Sequence, residues 1–201
     1  MPRIEIPGAH YHLGSRGNNK RPIFIDDDDR RQLLALIART TRRHGWVVLA
    51  YALMTNHYHL VIQIGEAGMA RGMCELNGGY ATYFNLRHRR ENHLFGRRYW
   101  DRRLESVDEL LFACRYTVLN PTRAGLEPHP GVGPWTSYGA TAGLEFAPVF
   151  LAKDRLLRFF GQTPKQAREG YVAFVSEGLV QGGPVRRQPP SRRRDEIVPP
   201  W

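Results

Sequence analysis

The chain has 201 residues, a formal net charge of +10 and a sequence pI of about 10.1. This length accommodates one domain with its own core plus an appendage. The charge favours a polyanionic partner, nucleic acid first and a membrane surface second, because neutralised phosphates release their counterions.

No stretch reaches the roughly 18 consecutive apolar residues of a membrane-spanning helix, and the N-terminus lacks the layout of a signal peptide. We therefore expect a soluble cytoplasmic protein. Cys74 and Cys114 lie in apolar segments of helical character without a CxxC partner, which predicts reduced core residues.

The first half of the chain predicts a strand, a helix and a hairpin. The strand candidate is AHYHLGSRG, and the helix FIDDDDRRQLLALIARTTRRHG carries acids in its first turn and cations in its last, as the helix dipole favours. We interpret the aspartates at 26–29 as solvated, dipole-stabilising residues rather than metal ligands. WVVLAYALM and HYHLVIQI then predict two buried strands joined by a short turn.

The second half predicts a helix over residues 69–90, a strand within LFGRRYWDRRLES, and a last helix that begins at the capping box SVDE. This last helix should end near Asn120, because Pro121 disfavours a helical conformation at the residue before it. The element order predicts an α+β fold, a sandwich of one antiparallel sheet with helices.

The remaining sequence predicts an extension of this domain. Residues 1–130 form the main domain, and residues 131–180 form a short helical extension that contains AKDRLLRFFG and PKQAREGYVAFVSEGL. Residues 181–201 are rich in arginine and proline, which predicts disorder. The arginines of this tail are compatible both with phosphate binding and with a role in solubility.

The tetrapeptide HYHL occurs twice, at residues 10–13 and 57–60. On a strand, histidines two positions apart point to the same face, which suits the binding of a divalent metal. For an isolated pair of this kind, the structural interpretation is the default. We keep that interpretation for His10 and His12.

Tyr116 has an unusual position on the last predicted helix. At about 100° per residue it falls opposite the apolar stripe, which contains Val107, Leu110, Leu111, Cys114 and Val118. Asn120 follows one turn later on the side of Tyr116. A second packing face would explain this position. So would a nucleophile beside a metal, with Asn120 as an oxygen ligand suited to Mg or Mn.

Several segments together resemble the REP-associated tyrosine transposases, a branch of the single-tyrosine HUH transposases. They are LMTNHYHLVIQ, FGRRY, RYTVLNPTRAGL and PWTSY, preceded by YHLGSRGNN and PIFIDDDDR, and the resemblance covers roughly residues 3–140. It implies a ferredoxin-like catalytic domain that cuts and rejoins single-stranded DNA at hairpins. It further implies a divalent metal and a covalent 5′-phosphotyrosine intermediate.

The resemblance also implies roles for individual residues. His57 and His59 fill the positions of the two metal-binding histidines, Tyr116 fills that of the nucleophile, and Asn120 fills that of a further metal ligand. The expected partner is single-stranded DNA with hairpins, in a nucleoid-associated bacterial protein. The resemblance favours a monomer over a homodimer.

The segment RRYWDRR interleaves basic and aromatic residues, and single strands bind to cationic tracks with stacking rings. Arg97, Arg98 and Tyr99 are therefore candidate DNA contacts, although an ordinary edge strand would also explain them. The family match adds Arg16 and Arg123, of which Arg123 is equally a cation near a helix end.

Two other functions are compatible with the sequence. One is a domesticated protein that binds hairpin DNA without cutting it. The other is a metal-dependent nuclease that uses water instead of tyrosine.

Overall fold

The computed structural model describes residues 5–66, 68–96 and 98–180. Apart from a short 3-10 helix (Asn18–Lys20), the elements up to residue 123 follow the predicted order: β1 (His10–Arg16), α1 (Asp27–His44), β2 (Val47–Leu53), β3 (His57–Gln63), α2 (Met69–Arg87), β4 (Trp100–Leu104) and α3 (Val107–Arg123). Three helices follow: α4 (Tyr138–Ala142), α5 (Lys153–Leu157) and α6 (Pro164–Val180). Arg97 and the tail predicted at 181–201 lie outside the described residues.

The four strands form one antiparallel sheet in the order β2-β3-β1-β4. The two HYHL strands, β1 and β3, are therefore neighbours. Gly14 lies opposite His59, and Arg16 lies opposite His57. Because directly opposed residues project to the same face of a sheet, the histidines of both copies share one face.

Helices cover both faces of this sheet. On the face away from the histidines, α1 and α2 pack over the strands in a core that includes Leu33, Ile37, Tyr58, Leu60, Ile62 and Leu76. On the histidine face, α3 and α6 contribute to a second core that includes Val61, Leu104, Cys114, Val118, Tyr171 and Val175. The predicted α+β, ferredoxin-like sandwich is confirmed.

The helix ends follow local side-chain chemistry. The Asp26 side chain accepts hydrogen bonds from the backbone N–H groups of Asp28 and Asp29 at the start of α1, and Ser106 caps α3 as the sequence predicts. The predicted end of α3 near Asn120 is wrong, because the helix continues to Arg123 with Pro121 inside it. Proline removes one helical hydrogen bond, and burial of Pro121 in the packed helix offsets that loss.

Two predictions about exposure are also wrong. Asp29 is not solvated: its side chain is 0% exposed and pairs with Arg87, the last residue of α2, and with His88, which follows it. Cys74 is exposed rather than buried in the core, whereas Cys114 is buried as expected, and both are free thiols. Within the described ranges, no helix has the combination of length and apolar character that crossing a bilayer requires.

Candidate active site

The start of β3 places two histidines side by side on the sheet face covered by α3. The ring centroids of His57 and His59 are 4.9 Å apart. The Asn56 amide nitrogen donates to the carbonyl of Lys20, so its oxygen, Oδ1, faces Nδ1 of His57 at 2.7 Å. An amide oxygen only accepts, so Nδ1 of His57 carries the proton and Nε2 keeps its lone pair.

His59 is the more deeply placed of the two, at 1% exposure. Its Nδ1 lies 3.1 Å from Nε2 of His12. Its Nε2 is buried and has no hydrogen-bond partner. A buried polar atom without a partner requires an explanation, and a bound metal ion would satisfy the lone pair of an imidazole nitrogen.

The surroundings keep these imidazoles neutral. Burial, and secondarily the charge of Arg16, lowers the pKa of His57 to about 4. Burial also lowers the pKa of His59 well below its usual value, with further contributions from His12, His57 and Arg16. Burial, and then Arg102, lowers the pKa of His12 to about 3. Neutral imidazole is the form that binds metals.

Tyr116 reaches the histidines of its own chain. Its ring centroid lies 5.8 Å from that of His59 and 5.8 Å from that of His12, and the rings meet edge to face. The helix that carries Tyr116 packs across β2, β3 and β4. One chain therefore brings the predicted nucleophile to the predicted metal-binding pair.

The predicted apolar stripe of this helix is only partly correct. Val107 is 51% exposed, and α3 is buried on two sides rather than one. One side faces the sheet, where Thr117 approaches His12; the other faces α6, where Arg115 donates to the carbonyl of Phe174. The apolar stripe is divided between the side of α3 that faces the sheet and the side that faces α6. Tyr116, opposite the centre of the stripe, therefore still borders the histidines of the sheet.

Asn120 lies one turn beyond Tyr116 and is half-buried. Its amide nitrogen donates to the backbone carbonyl of Tyr116 at 3.0 Å. Within the described part of the chain, no group of three or more His, Cys, Asp or Glu side chains is arranged to hold a metal. A metal at His57 and His59 would therefore need other ligands, such as the Asn120 oxygen, water or DNA.

The candidate DNA contacts occupy different environments. Arg16 ends β1, half-buried and opposite His57, and Arg98 is exposed. Arg123 donates to the carbonyl of Gly178 at 2.9 Å and so links α3 to α6. Tyr99 is 7% exposed and belongs to the core beneath the sheet. This burial argues against its predicted stacking on a DNA base, because the ring is already packed.

Sequence reasoning missed two neighbours of the histidines. His12 was interpreted as structural, and Trp100 was not singled out. The Trp100 ring centroid lies 4.7 Å from that of His12 and 5.3 Å from that of His59. The expected ferredoxin-like fold could have indicated His12, because in such a sheet β1 lies next to the strand that carries His57 and His59. The register that aligns them is visible only in the structure.

An antiparallel sheet whose strand histidines face a helical tyrosine is the arrangement that the resemblance to tyrosine transposases implied. A family model described as "Transposase IS200 like" matches residues 5–116. That span includes the whole sheet and ends at Tyr116. The chain belongs to the IS200-like transposase family.

Three solved structures that resemble this chain have low sequence identity to it. A REP-associated tyrosine transposase bound to a REP hairpin matches with a TM-score of 0.60 at 15% identity, over 76% of this chain and 90% of the other. A putative transposase from Deinococcus radiodurans gives a TM-score of 0.42 at 16% identity over 56% and 91% of the two chains. The tRNA(His) guanylyltransferase of Saccharomyces cerevisiae gives 0.43 at 8% identity over 86% and 80%. No curated protein matches the sequence.

Proposed function

We propose that this protein is a metal-dependent single-strand DNA endonuclease and strand transferase that acts on hairpin DNA through Tyr116. The observation that carries the proposal is the 5.8 Å separation between the rings of Tyr116 and His59, together with the buried, unpartnered Nε2 of His59. Family membership supports DNA transposition as the reaction. The fold shared with a transposase bound to a REP hairpin supports hairpin DNA as the substrate.

His57 and His59 fit a divalent metal, Mg or Mn, because the Nε2 atom of each imidazole can donate its lone pair to the ion. Asn120 would supply a further oxygen ligand. A bound metal would supply positive charge that polarises the scissile phosphate. The hard oxygen of Asn120 and the phosphate oxygens of DNA match the preference of either ion.

The tyrosine chemistry balances without an added reactant. The Tyr116 phenol oxygen attacks phosphorus, and its proton passes to solvent. The bond between phosphorus and the 3′-oxygen breaks, and that oxygen takes up a proton to become a 3′-hydroxyl. A 5′-phosphotyrosine remains. Attack of a 3′-hydroxyl on this linkage joins the DNA and restores the phenol.

We expect the DNA to run along the side of the sheet formed by β1 and β4. Arg16 beside His57 and exposed Arg98 would contact phosphates there. Because Tyr116 borders His59 of the same chain, a single copy contains both halves of the site. We therefore propose a monomer whose active site combines Tyr116 with the histidines of the same chain. It would act on chromosomal DNA in the cytoplasm of a bacterium.

The test is formation of a covalent adduct. A hairpin oligonucleotide with a single-stranded flank, labelled at its 3′ end, is incubated with the protein and Mg²⁺ or Mn²⁺, and the adduct is resolved on a denaturing gel. We expect an adduct with the wild type, and its loss in Tyr116→Phe, in His57→Ala and after chelation of the metal. Tyr83→Phe, in α2 on the opposite face of the sheet, is the matched control and should retain it.

Each other outcome has a distinct meaning. An adduct that survives in Tyr116→Phe would show that another residue is the nucleophile. Cleavage products without attached protein would indicate a nuclease that uses water. Binding of the hairpin without metal-dependent cleavage would indicate a domesticated DNA-binding protein.

A further inference from the structure

The two HYHL copies meet at a single contact. His12, from the first copy, places its Nε2 3.1 Å from Nδ1 of His59, from the second copy. The two rings stack with centroids 5.2 Å apart. His12 is also contacted edge-on by the Trp100 ring at 4.7 Å, and Thr117 Oγ1 lies 3.4 Å from its Nε2.

This contact determines which nitrogen of His59 is available. A neutral imidazole has one N–H and one lone pair, and a metal-binding histidine usually donates its N–H to a neighbouring acceptor. If His59 donates from Nδ1 to Nε2 of His12, its lone pair is on Nε2. That atom is the buried nitrogen without a partner.

We propose that His12 is a positioning residue for the metal site: it accepts the Nδ1 proton of His59 and so holds His59 in the tautomer that presents Nε2 to the metal. This inference rests on the proposed function, because it concerns the same metal. His12 acts through His59 rather than as a third ligand, since its Nε2 is engaged by the Nδ1–H of His59.

The packing around His12 supports this role. His57 is oriented in the same way, by Asn56 at its Nδ1, so each strand histidine has its own partner. Gly14 makes room for the Trp100 ring that borders His12, because a Cβ at Gly14 would lie 2.8 Å from that ring. The His12 ring is thus fixed by Trp100 on one side and by His59 on another.

The first test measures Mn²⁺ binding to the full chain without DNA, by calorimetry and electron paramagnetic resonance. His12→Phe keeps an aromatic ring but has no acceptor, and we expect about 10- to 100-fold weaker binding, as for other residues that orient metal ligands. His12→Gln keeps an acceptor oxygen and should restore binding close to that of the wild type. His10→Phe, on the same strand and opposite Gln63, is the matched control and should bind like the wild type.

The second test reads the tautomer directly in metal-free wild-type protein. Nitrogen-15 NMR of the imidazoles should show His59 protonated at Nδ1, and thermal unfolding should show that the variants are folded. Protonation of His59 at Nε2, or equal Mn²⁺ affinity in His12→Phe and wild type, would overturn the role of His12 but leave the proposed function intact. Absence of Mn²⁺ binding by the wild type would overturn it together with the metal site of the proposed function.

Discussion

Asp29 shows how a single residue links two helices of the fold. Its carboxylate is fully buried and accepts hydrogen bonds from the Ile25 backbone N–H at 2.7 Å and from Arg87 at 2.6 Å. Nε2 of His88 adds contacts at 2.9 and 3.0 Å. Burial by itself would raise the pKa of Asp29, but these donors outweigh it and hold the pKa below its usual value.

Asp29→Ala should therefore destabilise the protein. Removing one partner of a buried, hydrogen-bonded ion pair is costly, and because Arg87 remains partly solvated we expect a loss of about 2 kcal/mol. Asp27→Ala, which removes an exposed pair with Arg30, should change the free energy of unfolding by less than about 1 kcal/mol. Denaturant unfolding of both variants at neutral pH checks this, and equal losses would contradict it.

The lowered pKa adds a pH dependence to the same comparison. A carboxyl whose pKa is lower in the folded state stabilises the fold above its unfolded pKa of about 3.9, and this contribution is lost as pH falls through the folded pKa. The stability difference between wild type and Asp29→Ala should thus shrink below about pH 4.

At the scale of the element, β1 depends on Gly14. A Cβ at this position would lie 2.1 Å from the backbone oxygen of Tyr58 in β3 and 2.8 Å from the Trp100 ring. A backbone oxygen cannot move aside as a flexible side chain can. The close approach of β1 to β3, which aligns His12 with His59, therefore requires glycine.

Gly14→Ala should destabilise the sheet by about 1–3 kcal/mol, the usual cost of overpacking. Gly78→Ala is the matched control: Gly78 lies inside α2, and a Cβ there meets nothing within 4 Å. Alanine favours helices, so this change should stabilise by about 0.4–1 kcal/mol. Thermal unfolding of the two variants should give melting temperatures that move in opposite directions, and a stable Gly14→Ala would show that β1 and β3 can separate.

The elements also show what sequence patterns can predict. Apolar runs, caps and dipole-matched charges are local signals. They predicted the four strands of the described residues and the first three α-helices, and the predicted helical stretches AKDRLLRFFG and PKQAREGYVAFVSEGL correspond to α5 and α6. The contact between His12 and His59 depends on the register of β1 against β3, and the two buried sides of α3 depend on α6, more than 40 residues further along the chain. Such pairings arise from tertiary packing, so family resemblance could point to His57, His59 and Tyr116, but the contact of His12 with His59 could not be predicted.

The whole chain carries a formal net charge of +10, and exposed arginines lie on different elements of its described part. Arg98 is exposed and lies two residues before Trp100, which borders His12 and His59. Arg31 is an exposed arginine on α1, the helix that packs on the opposite face of the sheet. It pairs with Asp28 of the same helix at 2.6 Å. A DNA path at the histidine face should involve Arg98 and leave Arg31 outside it.

The salt dependence of binding separates these two arginines. Each phosphate neutralised by the protein releases counterions, so a plot of log affinity against log salt becomes shallower by about one when one phosphate contact is lost. In a Tyr116→Phe background, which permits binding without cleavage, Arg98→Ala should reduce the slope for a flanked hairpin by about one, and Arg31→Ala should leave it unchanged. Fluorescence anisotropy over a range of salt concentrations measures both slopes. An equal reduction in the two variants would mean that the charge attracts DNA without regard to face, and a reduction in Arg31→Ala alone would place the DNA on the side of α1.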